Sequence, residues 1–133
     1  MLIVSDYAGA GLTPLAGAAH DERRLSAMFA ANGFSVVQGI APSRAALLDA
    51  LSQFRHLAGK HETAVIYATG HGVESNGSVY LLPGDYPLQE GCSAARLRAG
   101  AVSVERIAAA CRGSRLNLVF FAGCRTLASN MTL

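Results

Sequence analysis

Short, unbroken apolar runs alternate along this chain with longer stretches of helical period. Leu2 to Ser5 has no polar alternation, which predicts a strand covered on both faces. A glycine-rich stretch closing at Pro14 predicts a loop. From Ala18 to Asn32, Leu25, Met28 and Phe29 fall on one helical face, Asp21, Glu22, Arg23 and Arg24 supply the wet side, and Gly33 ends the helix. Phe34 to Val37 predicts a second strand. Pro42-Ser43 starts another helix with Ser43 as N-cap and Leu47, Leu48, Leu51, Phe54 and Leu57 as its buried stripe, stopped by Gly59. Thr63 to Ala68, β-branched and uncharged, predicts a third strand running into Gly70-His71-Gly72. Asn76-Gly77, between Val73 and the run 78–82, predicts a hairpin, because that pair accepts the positive φ angles of a type I′ turn. Ser103 caps a last helix carrying Val104, Ile107, Ala108 and Cys111, closing at Gly113. Leu116 to Phe121 is the final strand, and Ala122-Gly123-Cys124 follows it.

The resulting order, β-α-β-α-β-(hairpin)-α-β, builds a parallel sheet with helices on both faces, in an α/β fold. Ligands of such sheets bind beyond the carboxyl ends of the strands. His71 and Cys124 both fall on that edge. If the third and fourth strands are neighbours, their ends lie roughly 5 Å apart laterally, which brings an imidazole and a thiol into range. A thiol attacks carbonyl carbon as thiolate and needs a nearby base to lower its pKa from about 8.5. His71 can take that proton and later return it to a leaving amine. Gly72 lets the backbone approach a substrate, and its N–H with that of Cys124 can stabilise an oxyanion. Either residue alone has a plain structural reading, a small core cysteine or a turn histidine. The pairing of a base and a nucleophile on two separate strand ends is what packing alone does not require.

Composition narrows the field further. At 133 residues and 51% apolar, the chain fits one domain with a sizeable core. A net charge of +2, with Lys and Arg scattered, argues against nucleic-acid or anionic-membrane partners. The apolar start lacks a basic leader and no run reaches membrane-spanning length, so a cytoplasmic location is expected. Cys92, Cys111 and Cys124 form no C-x-x-C pair, and His20, His56, His61 and His71 lack H-x-x-x-H spacing, so neither a disulfide framework nor a metal site is expected. Cys92 and Cys111 read as structural. Gly9-Ala10-Gly11 is not completed as a dinucleotide loop, since Pro14 takes the third glycine position. No phosphate-binding G-x-x-x-x-G-K-[ST] loop and no G-x-S-x-G elbow occur.

Four blocks in order then carry a resemblance: Leu15-Ala16-Gly17-Ala18-Ala19-His20-Asp21 with its helix to Gly33-Phe34, Tyr67-Ala68-Thr69-Gly70-His71-Gly72, Tyr80-Leu81-Leu82-Pro83-Gly84-Asp85, and Leu118 to Arg125. Together they resemble the large catalytic subunit of the caspase and metacaspase cysteine peptidases, whose histidine lies about 50 residues ahead of the cysteine. The resemblance implies a three-layer α/β/α sandwich with a mainly parallel sheet and a small hairpin after the catalytic histidine. It implies a cysteine-type endopeptidase with His71 as base, Cys124 as nucleophile and Gly72 at the oxyanion. It also places Asp21 where metacaspases line the pocket for a basic substrate side chain.

The chain departs from the pattern at Ala122, where metacaspases carry an aspartate, and it has no arginine where caspases bind aspartate near the first loop. Only nine residues follow Cys124, whereas the family fold continues with two further strands. A small-subunit chain or C-terminal remainder is therefore an expected partner beside the peptide or protein substrate. Without it, the fourth strand would be an exposed apolar edge. No cofactor is expected: some metacaspase relatives respond to calcium through acidic clusters, and none occurs in these residues. Cys124-Arg125-Thr126 also resembles the related CHAT peptidases, with the same chemistry. The alternative reading is a catalytically inactive caspase-like module that binds or regulates a partner.

Overall fold

A computed structural model describes residues 1–40, 43–123 and 126–127. Its centre is a four-stranded parallel sheet built from β1 (Leu2–Ile3), β2 (Gly39–Ile40), β3 (Thr63–Gly70) and β7 (Leu116–Gly123), in the order β2-β1-β3-β7. Beyond β3 the chain forms the hairpin β4 (Gly72–Ser75) and β5 (Ser78–Leu81). With β6 (Val102–Ser103) and β8 (Thr126–Leu127) the hairpin makes a second sheet, ordered β6-β5-β4-β8. Among the described residues four α-helices complete the fold: α1 (Ala16–Ala31), α2 (Arg44–Ala58), α3 (Ala94–Gly100) and α4 (Val104–Ala108). The expected three-layer arrangement is what forms.

β3 shows why. Its side chains alternate, and Ala64, Ile66 and Ala68 are buried in the main core with Leu47 and Leu51 of α2, Leu97 of α3 and Ile107 of α4. On the opposite face Tyr67 joins a smaller cluster of Met1, Ile3 and Ala18 with Leu25 and Phe29 of α1. Helix starts follow the polar caps. Ser43 Oγ accepts from Ala46 N–H (3.2 Å) and Ser103 Oγ from Arg106 N–H (3.1 Å). Asp85 adds a second, distant cap, its Oδ1 accepting from Arg44 N–H at 3.0 Å. The hairpin turns at Asn76 and Gly77 with φ of 52° and 79°, both positive as a type I′ turn needs.

Several expectations are corrected. The second strand is Gly39–Ile40, not Phe34 to Val37. The apolar run serves packing, with Val36 against the α1 cluster. The ladder forms where Gly39 lets both β1 and α2 close on the backbone, since a Cβ there would lie 3.0 Å from Leu2 Cδ2 and 2.8 Å from Ala50 Cβ. The first strand is correspondingly short. Met28 and Leu57 are exposed, not part of the buried stripes, and Ala50 and Ala58 fill the α2 interface. α3 and β6 arise in a stretch where the sequence pattern predicts no element, and α4 ends before Cys111. β7 is the outermost strand of its sheet among the described residues. Val119 and Phe121 pack inward, while Leu116, Leu118 and Phe120 stand exposed on the alternate face, as a bare apolar edge would.

Candidate active site

β3 and β7 are parallel neighbours over their full lengths, from Thr63↔Leu116 to Gly70↔Gly123, so the two strand ends expected to carry the chemistry are side by side. His71 is the first residue beyond β3. Cys124, the first beyond β7, lies outside the described residues, as does Arg125. The chain is constrained on either side of them. Gly70 pairs with Gly123, and after two residues on each strand Val73 pairs, again in parallel, with Thr126. Positions 71–72 and 124–125 are thus equal intervals between the same two ladder pairs.

Just below this rim Thr69 Oγ1, buried, donates to Ala122 O at 2.8 Å and clips the two strands together. Gly123 is tightly enclosed: a Cβ there would fall 3.0 Å from Gly70 O and closer still to the Phe121 ring. A side chain at 123 would force apart the strand ends that the site needs adjacent.

The His71 ring is half-buried and held at two points. Its Nε2 lies 2.9 Å from Thr13 O, and its ring meets that of Tyr7 edge-on, centroids 4.5 Å apart at 70°. A carbonyl oxygen can only accept, so in the neutral ring Nε2 carries the hydrogen and Nδ1 keeps the lone pair. The lone pair with which the ring could act as a base is then the one on Nδ1. The loop bearing Thr13 is itself pinned, with Ala10 N–H and Leu12 N–H donating to Tyr7 O and Leu15 N–H to Ser5 O. Neither Thr13 nor Tyr7 was legible as part of the site. One contributes only its carbonyl, and the other reaches His71 across a sequence separation of 64.

Gly72 is buried at the start of β4. Leu82 N–H donates to His71 O (2.9 Å), making 71 and 82 a hydrogen-bonded pair, so 72 and 81 form the next, non-bonded pair. In that alternation the Gly72 N–H points away from β5, toward the side on which β8 pairs. It is therefore not consumed by the hairpin.

Asp21 sits elsewhere. Its Oδ2 accepts from Tyr67 Oη at 2.6 Å, on the α1 face of the sheet. Tyr67 precedes His71 by four strand residues, about 13 Å along β3. Burial first, then the Asp21 hydrogen bond and charge, push the Tyr67 phenol up, which keeps it a donor to that carboxylate. The structure joins Asp21 to the sheet but not directly to His71.

The other two cysteines are structural. Cys111 Sγ donates to Ala64 O at 3.2 Å, Cys92 is packed with Tyr86, and burial raises both thiols above their ordinary range. A depression of about 350 Å³ beside the end of β7 is lined by Gly77, Val79, Val104, Glu105, Phe121 and Gly123. A second, of about 270 Å³, lies at the opposite end of the sheet around Phe34, Phe54 and His61, away from the strand ends that carry His71. None of the helices is long and apolar enough to cross a membrane among the described residues.

No curated protein matches the chain. A family model does: the caspase domain of the C14 peptidases matches residues 1–131, nearly the whole length, in agreement with the parallel sheet and the hairpin that follows His71. On that match and this fold, the chain belongs to the caspase-domain family of peptidases.

Proposed function

We propose that this chain is a cysteine-type endopeptidase that hydrolyses peptide bonds through a dyad of His71 and Cys124. One observation carries the reading: 71 and 124 occupy equal steps between the ladder pairs Gly70↔Gly123 and Val73↔Thr126. Neighbouring parallel strands are about 4.8 Å apart. At that spacing an imidazole and a thiol carried by the two strand ends would be able to exchange a proton. The Thr13 carbonyl supports the assignment by fixing the hydrogen on Nε2.

The chemistry follows from those parts. Nδ1 of His71 takes the thiol proton, and the Cys124 thiolate adds to the scissile carbonyl carbon. The oxyanion is met by backbone N–H groups, that of Gly72 among them. The imidazolium protonates the departing amine, leaving a thioester. His71 then deprotonates the water that hydrolyses it, and Cys124 leaves as thiol. By the resemblance to metacaspases, Asp21, whose Oδ2 is held by Tyr67 Oη, would serve the substrate side and favour a basic residue before the scissile bond. Ala122 supplies no second carboxylate there.

The test is covalent labelling by peptidyl acyloxymethyl ketones carrying Arg, Lys or Asp next to the warhead, with the modified residue read by mass spectrometry. A Cys124 adduct that is absent in Cys124→Ala and slowed at least tenfold in His71→Ala is expected. The exposed Leu116, Leu118 and Phe120 edge favours the other reading, a non-catalytic module that binds a partner. A folded chain whose Cys124 takes up none of the probes, alone or with a partner seated on that edge, would favour it over the peptidase reading.

A further inference from the structure

The hydroxyl of Tyr7 is spliced into a β-ladder. Extending the β4–β5 register by one residue from Gly72↔Leu81 pairs His71 with Leu82, and Leu82 N–H donates to His71 O at 2.9 Å. The return bond of such a pair would run from His71 N–H directly to Leu82 O. Here it is relayed: His71 N–H donates to Tyr7 Oη (2.7 Å), and Tyr7 Oη–H donates to Leu82 O (3.0 Å). The ladder is held open by the width of a hydroxyl at the residue read as the catalytic base.

We propose that Tyr7 is a positioning residue that sets the place and tautomer of the His71 imidazole, an inference that rests on the peptidase reading of His71. Three contacts from one side chain and its backbone converge on this role. The hydroxyl fixes the His71 backbone from which the ring projects. The aromatic ring lies edge-on to the imidazole and limits its rotation. The Tyr7 carbonyl ties down Ala10 and Leu12, the loop that presents Thr13 O to Nε2. Tyr7 is fully buried, and burial holds its phenol well above the ordinary range, so the hydroxyl stays a neutral relay. Gly70 is the counterpart, since a Cβ there would lie 2.5 Å from Tyr7 Oη. The glycine before the histidine makes room for the tyrosine.

Tyr7→Phe keeps the ring and removes the relay. The ladder must then close directly, drawing His71 toward β5, or leave a buried N–H and C=O unpaired. Two readouts on the full chain test this: the rate at which iodoacetamide alkylates Cys124, resolved by mass spectrometry, and the ¹⁵N shifts of the His71 ring nitrogens. The expected result in folded Tyr7→Phe is roughly tenfold slower alkylation at neutral pH and loss of the dominant Nε2–H tautomer. Tyr86→Phe, which removes a comparable buried hydroxyl bond to Gly91 O away from the site, should change neither.

Wild-type alkylation rate with unaltered ring nitrogens in Tyr7→Phe overturns the inference. If wild-type Cys124 reacts no faster than in the unfolded chain and takes no peptidyl probe, the peptidase reading fails, and the ring-nitrogen shifts still decide whether Tyr7 positions His71. Should Tyr7→Phe not fold, 3-fluorotyrosine at position 7 keeps the shape and weakens the oxygen as acceptor. A smaller change in the same direction is then expected, and no change overturns the proposal.

Discussion

Replacing Gly70 by alanine adds one methyl group where the fold has no room for it. The new carbon would sit 2.5 Å from both Tyr7 Oη and Leu81 Cδ1, and 3.4 Å from Val4 Cβ. Ordinary contact begins near 3.4 Å, so two neighbours must each retreat by about an ångström. Tyr7 and Leu81 are both fully buried and have no path to solvent. Overpacking of this kind costs about 1–3 kcal/mol, and displacing the Tyr7 hydroxyl adds about 1 kcal/mol for its hydrogen bonds. We expect Gly70→Ala to lose about 2–4 kcal/mol, a fall in Tm of roughly 7–14 °C for a chain of this size. The assay is urea unfolding followed by circular dichroism, with the m-value required to hold. The discriminating step is a double-mutant cycle. With Tyr7→Phe in place, the hydroxyl clash and its bonds are gone while the Leu81 contact remains. The penalty for Gly70→Ala should therefore shrink by about 1–2 kcal/mol. An equal penalty in both backgrounds, or a wild-type-like Gly70→Ala, would refute the claim that this glycine exists to admit the Tyr7 hydroxyl.

Two further outcomes follow from the same structure. Burial raises the phenols of Tyr7, Tyr67 and Tyr86, the last to about 12 with the neighbouring Cys92 thiol contributing, against an ordinary value near 10. The folded state thus holds these protons more tightly than the unfolded chain. Their contribution is complete below about pH 10 and is lost as pH rises from there toward 12, so the urea midpoint should drop steeply across that window. A midpoint that stays level would contradict the burial of these hydroxyls. At the start of α2, Ser43→Ala and Asp85→Ala should each cost about 1 kcal/mol, because each removes an acceptor for an otherwise unpaired helix N–H. Chemical denaturation showing Asp85→Ala to be neutral would mean that the cap from the distant loop contributes nothing.

What could be read from the sequence was local. Ser43 and Ser103 cap the next turn, Asn76-Gly77 is a complete turn signal, and Thr63 to Ala68 is β-branched enough to be a strand wherever it packs. The misreadings share a different cause. Phe34 to Val37 looks like a strand because it is apolar, but pairing is decided by where β1 ends and by the bare backbone of Gly39, neither of which periodicity reports. Met28 and Leu57 have the right spacing for buried stripes yet lie beyond the edge of what their helices cover. α3 was missed because seven residues give too short a period to stand out from the surrounding loop.

The candidate site divides along the same line, and this bears on how such sites should be sought. His71 and Cys124 stand out because each follows an apolar strand, and parallel pairing of those strands was the one non-local step required; it is met at every position from Thr63 to Gly70. The groups that orient His71 carry no such mark. Thr13 acts through a carbonyl that every residue possesses, so its identity is silent. Tyr7 acts through a hydroxyl that replaces a backbone bond, and a sequence reader expects backbone to satisfy backbone. Yet Tyr7 leaves one legible trace, the glycine at position 70, which the Gly-His-Gly run offers as mere turn chemistry. A glycine next to a candidate base, in a strand that otherwise needs none, is thus evidence for something pressed against the backbone there. In this chain that something is the side chain that holds the histidine.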